Sequence, residues 1–307
     1  MLNVPIFFAC DDNYIPFLDV TLKSIQENMS KNNFYDIKIL NSGISDNLKT
    51  NLINNYVKDN FSIEFVDINP YLKDISSKLH VRDYYSKTTY FRLFIPRLYP
   101  QLDKCLYLDC DIIVRDDIAN LFAFDIGDNL VGGIPDEIVY KTEEFRQYAQ
   151  KRLGIIPENY INAGILVMNL KELRNFDFEN KFIDLLSKIK FSVAQDQDYI
   201  NVICKNRIKY LPKIWNKQPL FDKDVLDKNT ISLLHFNLNL KPWHYDNIMY
   251  EEEFWKYAKL TKYHDNLLNM KSLYSYELKK QDSIDYKNLK ELAYYEANVL
   301  GEINING

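Results

Sequence analysis

The chain has 307 residues, 38 basic and 43 acidic side chains and a formal net charge of −5, enough length for one large domain or a domain with an appendage. An acidic balance with pI near 5.5 argues against a general nucleic-acid binder, which would present a basic face, so a phosphate-bearing ligand would need a local cation. Cys10, Cys105, Cys110 and Cys204 form no C-x-x-C pair and no zinc-like cluster, which fits reduced thiols in a cytoplasm. Met1-Leu2-Asn3-Val4-Pro5 does not read as a signal peptide, so none is expected, and no apolar run approaches membrane-spanning length. A cytoplasmic protein is expected, with peripheral contact at the inner face of the membrane left open.

In chain order, Ile6–Cys10 predicts a buried first strand that stops at Asp11-Asp12-Asn13-Tyr14. Phe17, Val20, Thr21, Ile25 and Met29 keep helical spacing, and Ile37–Leu40 predicts a second strand. Ser45 is placed to cap the next helix, and Ile63–Asp67 reads as a third strand. This alternation predicts a largely parallel α/β sheet. No Gly-x-Gly-x-x-Gly or Walker loop follows any of these strands.

Residues 80 to 99 predict a helix in which Arg92 lies among aromatic and apolar neighbours, a solvated surface arginine being the plain alternative. The apolar run Lys104–Val114 then predicts a buried central strand interrupted by Asp109 and Asp111. Alternation along a strand would put both carboxylates on one face, roughly 7 Å apart. Burying them unpaired would cost several kcal/mol, so a divalent cation at a strand end in a cleft is the economical arrangement. Asp-x-Asp alone is a weak pattern, and Asp196-Gln197-Asp198 repeats it. The flanking β-branched and aromatic residues strengthen the first pair, because ligands of open α/β sheets collect at the carboxyl ends of strands.

A turn at Asp125–Asn129 leads to a strand Leu130–Asp136 that also ends on a carboxylate. Asn162-Ala163-Gly164 puts small residues just before a strand, as where backbone approaches a ligand. A helix through Phe182, Leu185 and Ile189 leads to Gln195–Asp198, an apparent helix start. Compensation of the helix dipole accounts for Asp198, but less easily for Asp196 and Gln197. His235 follows an apolar strand and opens the polar segment to His244.

Together, Phe8–Tyr14, Thr89–Leu93, Tyr107–Asp111, Tyr160–Ile165, Gln195–Asp198 and His235–Trp243 resemble glycosyltransferase family 8, which includes glycogenin and bacterial lipopolysaccharide galactosyl- and glucosyltransferases. The resemblance implies the GT-A nucleotide-diphospho-sugar transferase fold over residues 1–245; beyond them the match fades, and residues 246–307 read as a helical C-terminal extension. It implies that Ala9, Asp11, Asn13 and Tyr14 hold uridine, with Tyr14 stacking on the base. It further implies Asp109, Asp111 and His235 as ligands of Mn²⁺ (or Mg²⁺), Cys110 beside the nucleotide, and Lys241 at the diphosphate. Arg92, Asp136, Asn162, Asp196 and Gln197 would surround the transferred sugar, and Ala163 would contribute to donor binding. One departure is Leu238, where family members carry glycine, while the His235 to Lys241 spacing is intact.

The implied reaction is retaining transfer of glucose or galactose from a UDP-sugar to a glycan, lipooligosaccharide or glycoprotein hydroxyl. Asp196 is the candidate nucleophile of a double displacement. Gln197, a poor nucleophile, would instead favour same-face attack. The alternatives are a noncatalytic sugar-nucleotide-binding scaffold, which predicts a broken metal triad, a glycogenin-like self-glucosylating primer, and a metal-dependent phosphohydrolase. The tyrosine-rich tail shows helical apolar spacing at Leu289, Leu292, Tyr295, Ala297 and Leu300 but no basic cluster. Acceptor binding or homo-oligomerisation is expected of it.

Overall fold

The computed structural model describes residues 1–72, 79, 87–219 and 228–303. It divides into two compact units, one built from Met1–Pro70, Cys105–Asp125 and Pro212–Lys279, the other from Tyr71–Lys104, Ile126–Leu211 and Lys280–Gly307. Among the described residues the strands are β1 (Asn3–Ala9), β2 (Phe34–Asn41), β3 (Phe61–Asp67), β4 (Lys104–Leu108), β5 (Ile112–Val114), β6 (Val131–Pro135), β7 (Ile161–Asn169), β8 (Ile208–Tyr210) and β9 (Leu233–His235).

In the first unit β3, β2, β1 and β4 lie side by side and all parallel. Val4 and Ile6–Phe8 are buried, as in a parallel strand covered on both faces, which is why β1 reads as a continuous apolar run rather than an alternating one. The α1 helix (Ile15–Asn28) and α2 helix (Asp46–Tyr56) connect the first three strands. Ser45 stands at the start of α2 but its hydroxyl makes no capping bond. Instead its backbone N–H donates to Asp12 Oδ1 at 3.0 Å.

The run Lys104–Val114 is not one strand. It breaks after Leu108, and β5 leaves the parallel sheet to pair antiparallel with β9. Buried polar side chains of α1 hold this break. The Thr21 hydroxyl lies 2.8 Å from the carbonyls of both Cys110 and Ile112, sharing its proton between them. Ser24 Oγ accepts from Val114 N at 3.0 Å, and Asn28 Nδ2 donates to the Val114 carbonyl at 3.0 Å. The core beneath joins Phe17, stacked on Trp243 with ring centroids 4.0 Å apart, to Phe236, Phe254 and Tyr257.

In the second unit β6 pairs antiparallel with β7 and parallel with β8. The small residues Ala163 and Gly164 lie inside β7 rather than before it. Arg92 lies in a 3-10 helix Lys87–Phe94, continued by a short α-helix Ile95–Leu98. Residues 80 to 86 of the segment expected to be helical lie outside the described residues.

The helices Glu251–Ala258 and His264–Leu273 belong to the first unit, whereas the Tyr276–Tyr295 helix passes into the second from Lys280. There Lys290 pairs with Glu144 at 3.0 Å, and Tyr286 meets the edge of Phe145. Among the described residues no helix is long and apolar enough to cross a membrane.

Candidate functional site

The β4–β5 break carries the first cluster. In the β5–β9 register Ile112 opposes His235, and Phe236 N donates to the Asp111 carbonyl at 2.9 Å, so strand pairing delivers the imidazole to the two carboxylates. One ligand atom from each of Asp109, Asp111 and His235 lies within 4.8 Å of the others. His235 Nε2 is 3.3 Å from Asp111 Oδ1 and 3.9 Å from Asp109 Oδ2. Tyr107 OH donates to Asp109 Oδ1 at 3.0 Å.

Asp111 Oδ1 is buried and accepts no hydrogen bond, while the Lys241 ammonium sits on Oδ2 and reaches the Phe236 carbonyl. Burial by itself would raise the Asp111 carboxyl pKa. Lys241 and His235 overcome that and hold it below its ordinary range. A buried carboxylate oxygen left unbonded, beside a second carboxylate and an imidazole, is a donor set that fits a divalent cation of the Mg²⁺ to Mn²⁺ type.

Next to this cluster Asp11 closes a tight turn, accepting from Asn13 N at 3.0 Å and Tyr14 N at 3.2 Å. Cys110 Sγ donates to the Ala9 carbonyl at 3.3 Å, so the end of β1 and the aspartate bend are joined. Tyr14 meets Phe17 edge-on at 5.2 Å. Burial, and then the charges of Asp111 and Asp109, raise its phenol pKa well above the usual value.

The second unit holds a cluster of its own. Asp136 caps a helix, with Oδ1 accepting from Ile138 N at 3.0 Å and Val139 N at 3.4 Å. Its Oδ2 accepts from Asn162 Nδ2 at 3.0 Å and Gln197 Nε2 at 3.2 Å. Gln197 Oε1 accepts from Ala163 N at 2.9 Å and Asn162 Nδ2 at 3.3 Å, so its amide is tied at both ends. Arg92 is 4 % exposed, which overturns the surface alternative. Its Nε lies 3.1 Å from Asp196 Oδ2, and its guanidinium also donates to the Thr89 and Ala163 carbonyls.

Residues 5–247 match the sequence model of Glycosyl transferase family 8. The chain belongs to that family. This family 8 glycosyltransferase is 28% identical over 259 residues to the lipopolysaccharide 1,2-glucosyltransferase of Escherichia coli K12, covering 79% of this chain and 73% of that one. Among solved structures it resembles the galactosyltransferase LgtC in complex with donor and acceptor sugar analogs, with TM-score 0.68, 27% identity, and 84% and 96% of the two chains covered. It also resembles the bifunctional glycosyltransferase WbbM, with TM-score 0.75 and 26% identity over 88% of this chain. It spans about half, 52%, of the WbbM chain. The fold is GT-A, and membership implies a nucleotide-sugar donor and a glycan acceptor.

Each expected residue of the family 8 enzyme thus falls in one of two clusters, the first unit holding Ala9, Asp11, Asn13, Tyr14, Asp109, Cys110, Asp111, His235 and Lys241, the second Arg92, Asp136, Asn162, Ala163, Asp196 and Gln197. Asp198 goes elsewhere. It is fully buried and accepts from Tyr160 OH at 2.6 Å, Tyr148 OH at 2.9 Å and Ala194 N at 2.9 Å, which makes it more than a dipole-compensating surface carboxylate. The sequence reading missed Thr21 as a polar support and Asn216, whose Oδ1 lies 3.1 Å from His235 Nδ1. A threonine at an apolar helix position and an asparagine 19 residues from its partner leave no local signal.

Proposed function

We propose that this family 8 glycosyltransferase transfers glucose or galactose from a UDP-sugar to a hydroxyl of a bacterial glycan, lipooligosaccharide or glycoprotein, with retention of configuration and dependence on Mn²⁺. The observation that carries the reading is the convergence of Asp109, Asp111 and His235 around an unbonded carboxylate oxygen. A noncatalytic scaffold would be expected to have lost part of this triad. The names of the E. coli glucosyltransferase and of LgtC support a hexose donor.

Asp109, Asp111 and His235 would hold the metal, which when bound supplies Lewis-acid stabilisation of the leaving diphosphate. Lys241 is placed on Asp111 and would move its ammonium to a diphosphate oxygen. Ala9, Asp11, Asn13 and Tyr14 would hold uridine, with Cys110 anchoring that loop. Arg92, Asp136, Asn162, Ala163, Asp196 and Gln197 would bind the sugar hydroxyls. Every carboxylate of the second cluster has a partner, and the Gln197 oxygen already takes two N–H groups. That favours same-face attack over a covalent intermediate. The bond from the anomeric carbon to the phosphate oxygen breaks, the acceptor oxygen bonds to that carbon, and the phosphate oxygen takes the acceptor proton. Residues 1–245 would be the catalytic domain, and residues 246–307 would contribute acceptor binding or self-association.

The test is UDP release from a panel of UDP-sugars with Mn²⁺ or EDTA, beside Asp111→Asn. Metal-dependent turnover of one donor, falling at least a hundredfold in the variant, is expected. No turnover together with no UDP binding by calorimetry in Mn²⁺ would bring the scaffold forward. Intact-mass gain on incubation with UDP-glucose alone would favour the self-glucosylating primer, and a glycosyl ester trapped on Asp196 would overturn same-face attack.

A further inference from the structure

His235 is held from both edges of its ring. Nε2 faces the two aspartates, and Nδ1 faces Asn216 Oδ1 at 3.1 Å. Asn216 reaches that place by backbone pairing, because the strand that ends on His235 is flanked by β5 on one side and by the segment after Asn216 on the other. Lys217 N donates to the Leu233 carbonyl at 3.0 Å, and His235 N to the Lys217 carbonyl at 2.9 Å. Asn216 and His235 are each 1 % exposed, so water does not substitute for the contact.

A metal binds an imidazole through a lone pair, and a neutral imidazole has one only on the nitrogen that carries no proton. An amide oxygen at Nδ1 accepts an N–H there and leaves the Nε2 lone pair directed at the carboxylates. An amide nitrogen at the same place would demand the opposite tautomer. We propose that Asn216 is a positioning residue for the metal site, its side-chain oxygen fixing His235 in the Nδ1–H tautomer and the ring in the plane that brings Nε2 to Asp109 and Asp111. Asn216 would act on the metal through His235. The inference rests on the metal reading above and is tested without turnover.

The experiment titrates Mn²⁺ into the full-length protein and reads the electron paramagnetic resonance signal of free Mn²⁺. Asn216→Leu keeps the volume and removes the acceptor, and should weaken Mn²⁺ binding about ten- to hundredfold, the usual effect of losing a partner of a ligating histidine. Asn216→Asp keeps an acceptor oxygen and should stay within about threefold of wild type. Circular dichroism confirms that each variant is folded. An unchanged affinity in Asn216→Leu, or equal losses in both variants, overturns the positioning role and leaves the metal site standing. No Mn²⁺ binding by the wild type overturns both. Should Asn216→Leu fail to fold, ¹⁵N-histidine NMR of the Zn²⁺-loaded wild type decides: a proton on Nδ1 of His235 is expected, and a proton on Nε2 overturns the proposal.

Discussion

At the scale of single residues, Asp198 and Leu238 make the sharpest predictions. Burial pushes the Asp198 carboxyl up to about 7 from an ordinary 3.8, against the opposing pull of Tyr160, Ala194 and Tyr148. Between those two pH values the folded chain keeps a proton that the unfolded chain releases, so this group makes stability fall as pH rises from about 4 to about 7. The decline amounts to a few kcal/mol at most. Asp198→Asn should flatten it, and urea unfolding at pH 5 and 7.5 reads the difference; parallel profiles for wild type and variant would refute the assignment. Leu238 sits at φ 53°, a left-handed conformation that costs an L-residue about 1–2 kcal/mol and glycine almost nothing. The chain therefore keeps at that point a backbone conformation suited to glycine, the residue that the family resemblance leads one to expect there. Leu238→Gly should be more stable than Leu238→Ala by about 1 kcal/mol, reversing the usual order of the two residues. Equal unfolding midpoints would refute the strain.

At the scale of elements, α1 acts as a support for the aspartate bend. Its buried face carries Thr21 and Ser24 where an ordinary core helix would carry aliphatic residues; Thr21 bonds the carbonyls on either side of Asp111 and Ser24 the N–H of Val114. Thr21→Val preserves the shape and removes the donor shared by two buried carbonyls, which should cost about 1–3 kcal/mol. It should also weaken Mn²⁺ binding, since the bend that carries Asp111 loses its tie to the helix. A variant that loses stability but binds Mn²⁺ as wild type does would confine Thr21 to a packing role. In the second unit the paired carboxamides of Asn162 and Gln197 tie β7 to the helix Asp196–Cys204. The strand and the helix start are thereby fixed to each other.

At the scale of the whole molecule, the C-terminal helices are shared between the two units. In the first, Phe254, Tyr257, Ala258 and Leu267 complete the core around Trp243. In the second, Leu289, Ala293 and Ala297 are buried, and Arg152 approaches Glu296 at 3.6 Å. Deleting residues 280–307 should therefore destabilise the second unit, exposing the face around Phe145 and Ala149 to proteases while the first unit resists longer. Limited proteolysis followed by mass spectrometry checks this. A truncated chain with full-length melting and cleavage patterns would show the last helix to be dispensable for folding.

The sequence by itself determined the alternating strands and helices at the start, the acidic pair Asp109 and Asp111, and the six blocks that mark the family. These signals are local: a buried parallel strand needs a continuous apolar run, and two aspartates one residue apart offer a hard cation two oxygen ligands from one short stretch. Tertiary structure decided the rest. It split the apolar run Lys104–Val114 between two sheets, because the second half finds its partner in β9, more than a hundred residues away. It buried Arg92 against Asp196, enclosed Asp198 between two tyrosines, and set Asn216 behind His235. A polar side chain declares its type in the sequence, but its partner is settled only by which distant backbones come to lie side by side.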